Sequence, residues 1–74
     1  MSKNVGLAIL VSLADLKAAT AMEIARHTGK DYTAVRFNAV TLWKMRLIRP
    51  NGFKRTARSG MAARVWVIHE RVRT

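Results

Sequence analysis

Between Thr20 and Val35 the chain reads TAMEIARHTGKDYTAV, and no other stretch constrains the fold as much. Thr20 and Glu23 form a capping-box pattern. The threonine hydroxyl can accept from the Glu23 amide, and the carboxylate can reach back to the Thr20 amide. A helix over about residues 21–28 follows, with Met22 or Ala21, Ile24 and Ala25 turned inward. Gly29 suits the left-handed position that ends a helix. Two residues later Asp31 can cap a further helix. Two helices are thus predicted, separated by a turn of a few residues.

The segments on either side extend this pattern. Asn4 can cap a first helix over about residues 4–17, with Val5, Ile9, Leu13 and Leu16 on one stripe. Leu7, Val11 and Ala14 form a second stripe on nearly the opposite side. A helix apolar on two sides is either buried twice or meets a partner. The segment after Asp31 predicts a helix over about residues 32–46. Val35, Ala39 and Leu42 face inward; Thr33, Phe37, Val40, Thr41 and Lys44 face outward. A hairpin over about residues 47–69 closes the chain. LIRP reads as a short strand that Pro50 stops, AARVWVIH as a second strand, and the loop between them covers about residues 51–60. The predicted class is α+β, one domain over residues 1–74.

Charge narrows the function. The chain of 74 residues carries 14 Lys and Arg against 4 Asp and Glu, a net charge of +10. Up to residue 25 the charges cancel. From residue 26 onward twelve basic residues face only Asp31 and Glu70, and from Lys44 to Arg58 there are six bases and no acid. That asymmetry points to a polyanion, since a merely soluble surface mixes both signs. The apolar run VGLAILVSLADL covers about twelve residues, short of the roughly twenty a membrane span needs, so it reads as a core helix. Cysteine is absent, which excludes disulfides and thiolate chemistry. Glu23 and Asp31 are explained as caps, and no Ser/His/Asp set or phosphate-binding glycine loop stands out. No enzyme, cofactor, metal site or small-molecule ligand is predicted.

The order of elements is that of a helix-turn-helix followed by a hairpin. In these residues the chain resembles a winged helix-turn-helix domain of the broad MarR/ArsR-type superfamily of small bacterial and phage regulators. ILVSL is similar to the family's first-helix core and TAMEIARHTG to its second helix. DYTAVRFNAVTLWKMRLIRP resembles its recognition helix and exit. The likeness covers about Val5 to His69. The chain departs from the family at Arg46, where glycine is usual, which predicts a less sharply turned helix exit. Ala39 stands where leucine is common, and Trp43 is expected to fill the space. The flanking dimerisation helices of larger members are not present in this sequence.

The resemblance implies a three-helix domain with a β-hairpin wing that binds double-stranded DNA in the cytoplasm, at the nucleoid, as a small transcriptional regulator. Tyr32, Thr33, Arg36 and Phe37, with Thr41 and Lys44 further along, are the candidates for the major groove. Lys54, Arg55 and Arg58 are the candidates for backbone or minor-groove contact by a mobile wing tip. Arg26, Lys30, Arg46, Arg49 and Arg64 are candidate flanking phosphate contacts. Leu7, Val11 and Ala14 are the candidate homodimer interface. His27 is expected to cap the second helix, and Trp43 and Trp66 to lie in the core. Two rival readings remain: an excisionase-like accessory protein that bends DNA, and a module that docks an acidic protein partner.

Overall fold

The computed structural model describes residues 3–55 and 62–72. Among them are three α-helices and one three-stranded antiparallel sheet, an α+β arrangement. Helix α1 (Lys3–Leu16) runs into a short strand β1 (Ala18–Thr20); α2 (Ala21–Thr28) and α3 (Tyr32–Lys44) follow. The chain ends in β2 (Ile48–Arg55), β3 (Ala62–Ile68) and one 3₁₀ turn, η1 (Glu70–Val72).

Two of the three predicted N-caps form as expected. Thr20 Oγ1 accepts from the Glu23 amide at 3.2 Å, and Glu23 Oε1 accepts from the Thr20 amide at 2.9 Å. Gly29 takes φ 72° and donates its N–H to Ala25 O. Asp31 Oδ2 accepts from the Ala34 amide. Asn4 does not cap α1: the helix already includes Lys3, so Asn4 sits inside the first turn.

The core lies between the helices and one face of the sheet. Val5, Ile9 and Leu13 of α1 meet Ile24 and Ala25 of α2, Val35, Ala39 and Leu42 of α3, and Ile48 and Trp66 of the sheet. Leu16, expected to extend the α1 stripe inward, is exposed, because α1 ends there and the chain turns away. Trp43, expected to fill the core, is 39% exposed. Its ring meets the buried Trp66 edge-on, with centroids 5.6 Å apart. Trp66 does lie in the core.

The sheet differs from the predicted two-stranded hairpin. β1 pairs antiparallel with β3 through Ala18↔Val67, Ala19↔Trp66 and Thr20↔Val65, giving the order β1-β3-β2. Pro50 does not stop β2. It stands in register with Trp66, and the strand continues to Arg55 after an irregularity between Pro50 and Phe53 where Gly52 takes φ 78°. β2 is an edge strand, where a missing N–H leaves no ladder bond unmade. Asn51 to Arg55, expected in a loop, are therefore strand residues. β3 ends at Ile68, one residue short of the expected His69, whose N–H still donates to Leu47 O.

α3 ends at Lys44 rather than Arg46. Arg46 does not loosen the exit. It adopts the left-handed φ of 60°, donating its N–H to Trp43 O, while Leu47 N–H reaches Leu42 O. This pair of bonds is a Schellman ending, usually built on glycine. Lys17 closes α1 in the same conformation, at φ 72°, with its N–H on Leu13 O.

Candidate nucleic-acid interface

The outward face of α3 follows from the inward one. With Val35, Asn38, Ala39 and Leu42 buried, Thr33, Phe37, Val40 and Lys44 point away from the core and are exposed. Phe37 is 72% exposed, so it does not pack between helices. Tyr32, Arg36 and Trp43 form a stripe on the flank, and the Arg36 guanidinium lies 5.7 Å from the centre of the Tyr32 ring. Thr41 is half-buried and donates its hydroxyl to Phe37 O. Asn38, on the flank toward α2, is buried and donates to Ala34 O, so it is not available to a ligand.

The β2–β3 hairpin stands beside that flank. Directly opposed residues of an antiparallel pair share a sheet face. Arg64 opposes Phe53, and Arg55 opposes Ala62, so Phe53, Arg55 and Arg64 share the face that carries Trp66. The Arg64 guanidinium lies 5.1 Å from the Trp43 ring centre and 5.7 Å from that of Trp66. It thereby bridges the end of α3 and the hairpin. A stacked guanidinium keeps its edge N–H groups for an acceptor. Phe53, 67% exposed, joins this face although no sequence pattern singled it out.

Lys54 sits differently from expectation. It is not a mobile tip residue: it is on β2, and its Nζ lies 2.7 Å from Glu23 Oε2. Lys54 opposes Ala63, and Glu23 caps at Thr20 of β1, so the lysine chain spans β3 to reach it. The Lys54 ammonium, and then the Thr20 amide, hold the Glu23 carboxyl below its usual range. Arg49 is engaged as well, its Nε donating to Glu70 Oε1 at 2.7 Å. That guanidinium draws the Glu70 carboxyl down to about 2. Arg58 lies outside the described residues.

The remaining acids are also spoken for. Asp31 caps α3 and Asp15 lies 3.6 Å from His27 Nε2. Among the described residues, Arg26, Lys30, Arg36, Lys44, Arg46, Arg55, Arg64 and Arg71 form no ion pair with a carboxylate. The face made by α3 and the hairpin is thus cationic with exposed aromatic and apolar groups between the charges. Cations suit phosphates, and the apolar groups suit thymine methyls or unstacked bases.

His27 does not cap α2. Its Nδ1 is 2.8 Å from Ser12 Oγ, which ties α2 to α1. With Asp15 on the far side of the ring, the fold assembles a Ser/His/Asp set that the sequence did not suggest. Ser12 is wholly buried, so its hydroxyl cannot reach a substrate. The trio is a structural link between helices. Among the described residues no group of three His, Asp or Glu side chains is placed to hold a metal, and no helix is long and apolar enough to cross a membrane. Compared with known proteins, the chain matches no family model and no curated sequence.

Proposed function

We propose that this protein is a winged helix-turn-helix DNA-binding domain acting as a small transcriptional regulator. α3 enters the major groove and the β2–β3 hairpin is the wing. The observation that carries the reading is that Thr33, Phe37 and Lys44 on the exposed side of α3, Arg36 on its flank, and Arg55 and Arg64 on the sheet face whose Trp66 meets Trp43 are paired to no carboxylate among the described residues. Arg36 donates to a guanine or a phosphate, and Thr33 and Phe37 meet a thymine methyl. Arg55 and Arg58 neutralise backbone phosphates.

Salt dependence tests this directly. With four to six phosphates neutralised per subunit, log affinity for a duplex falls against log salt with a slope of about −4 to −5. An affinity indifferent to salt refutes the reading. Replacing Arg55 and Arg58 together by Gln, with Lys54 left on Glu23, weakens binding almost equally on all sequences. Selecting bound DNA from a random pool identifies the site that α3 reads.

The exposure of Phe53 favours a second reading, an accessory protein that bends DNA with weak sequence preference. Apolar side chains of this kind wedge between base steps and kink the duplex. A bending assay on the selected site, with Phe53→Ala as control, separates the two.

The outward stripe of α1 supports a symmetric dimer, with half-sites roughly 10 base pairs apart. Leu7 is 63% exposed, Val11 56%, and Ala14 is exposed beside them. They do not lie under the C-terminal strand. Sedimentation of Val11→Glu checks this: the folded variant should run at half the wild-type mass, and an unchanged mass removes the interface.

A further inference from the structure

A depression of about 550 Å³ opens where α3 ends and β2 begins, lined by Trp43, Lys44, Arg46, Arg49, His69 and Arg71. We propose that it is a cradle for a phosphodiester group, a second backbone contact at the base of the hairpin. The proposal rests on the DNA-binding reading above and locates where part of its charge is used.

Four of the lining residues are permanent cations. The nearby carboxylate, Glu70, is bonded to Arg49, which it orients. Lys44, Arg46 and Arg71 have no carboxylate partner among the described residues. The His69 Nδ1 accepts the Arg71 amide at 3.1 Å, so in the neutral ring Nε2 carries the proton and is the donor. Trp43 supplies an apolar wall along which long cationic stems can pack. The negative end of the α3 dipole is covered too, since the Leu42 and Trp43 carbonyls accept from Leu47 and Arg46.

Arg46 brings a guanidinium to the rim from the left-handed residue that ends α3. Lys17 ends α1 at a similar angle, so the backbone conformation itself selects for no anion; what Arg46 contributes to the site is its charge.

The cradle is distinct from the far end of the hairpin. Arg49 and Arg55 are six residues apart on β2, roughly 20 Å at about 3.3 Å per residue. Phosphates along one strand of a duplex are spaced by about 3.4 Å along the axis. By register the two arginines also lie on opposite faces of the sheet, Arg49 opposite Val67 and Arg55 opposite Ala62, so the cradle and the far end of the hairpin meet different parts of a phosphate backbone.

The test compares salt slopes on a random-sequence 16-base-pair duplex for the wild type, Arg46→Gly and the double variant Arg46→Gln/Arg71→Gln. Each cation removed should flatten the slope by about one. The double variant then loses about tenfold more affinity than the wild type at 50 mM salt than it does at 200 mM. Arg46→Gly guards against misfolding, because it relaxes the backbone: its melting midpoint should hold or rise while its slope flattens. A double variant with the wild-type slope overturns the cradle and leaves the DNA reading intact. A wild type whose duplex binding ignores salt overturns both. Inorganic phosphate is the second arm, read by amide shifts at Arg46, His69 and Arg71. If those shifts appear while the duplex slopes stay equal, the depression takes free phosphate and the DNA cradle is rejected.

Discussion

The chain leaves α2 and α3 through the same backbone conformation but with opposite residues. Gly29 closes α2 at φ 72°, and Arg46 closes α3 at φ 60°. For glycine the left-handed region is unstrained; for a residue with a Cβ it costs about 1–2 kcal/mol. The α2–α3 turn is reinforced by a neutral neighbour: Thr28 Oγ1 donates to Ile24 O at 2.8 Å and accepts from the Lys30 amide at 3.2 Å. The α3–β2 turn has two backbone bonds and is flanked by a charged clasp, Arg49 on Glu70. The first turn is built for stability with residues of ordinary preference. The second accepts strain and keeps cations at the surface.

The largest effect expected from this contrast is at Gly29. Gly29→Ala should destabilise the fold by about 1–2 kcal/mol. No atom lies within 4 Å of the Cβ it would add, so the cost is backbone alone. Arg46→Gly should act in the opposite direction, stabilising by about 0.5–1 kcal/mol once the greater freedom of glycine in the unfolded chain is offset. Chemical denaturation of both variants measures the pair. If Arg46→Gly destabilises, the arginine side chain is packing on Trp43 strongly enough to outweigh its strain, and the contrast fails.

The same contrast explains what the sequence could and could not reveal. Thr20, Glu23, Gly29 and Asp31 are residues whose side chains or freedom act on their own neighbours, so their roles were legible locally. The α3 faces were legible because Val35, Ala39 and Leu42 keep helical spacing. β1 was not: AAT has no strand preference of its own, and only pairing with β3 makes it one. Pro50 misled because its effect depends on whether the strand is central or at an edge, which no local pattern tells. Lys54 looked like a free tip cation because its partner, Glu23, lies 31 residues away and already had a role as a cap. Phe53 and the Ser12–His27–Asp15 cluster were missed for the same reason: both arise from tertiary placement, not spacing.

The smallest expected effect concerns the clasp itself. The folded pKa of Glu70 lies near 2, below its ordinary 4.5, because the Arg49 guanidinium favours the carboxylate. A lowered folded pKa means the contribution is fully present above about pH 4.5 and is lost as pH falls through about 2. Both groups are exposed and screened, so the effect on global stability is small and must be read at the site. Carboxyl NMR of the wild type should show Glu70 titrating near pH 2, and in Arg49→Gln higher, toward its ordinary value, with the backbone hydrogen bond still holding it down. The Gly29 and Lys30 amides should not follow that titration, since their turn is held by Ala25 O and Thr28 Oγ1. A wild-type Glu70 that titrates near pH 4.5 shows the clasp to be open in solution. Arg49 would then be free to join Lys44, Arg46 and Arg71 as a fourth unpaired cation at the end of α3.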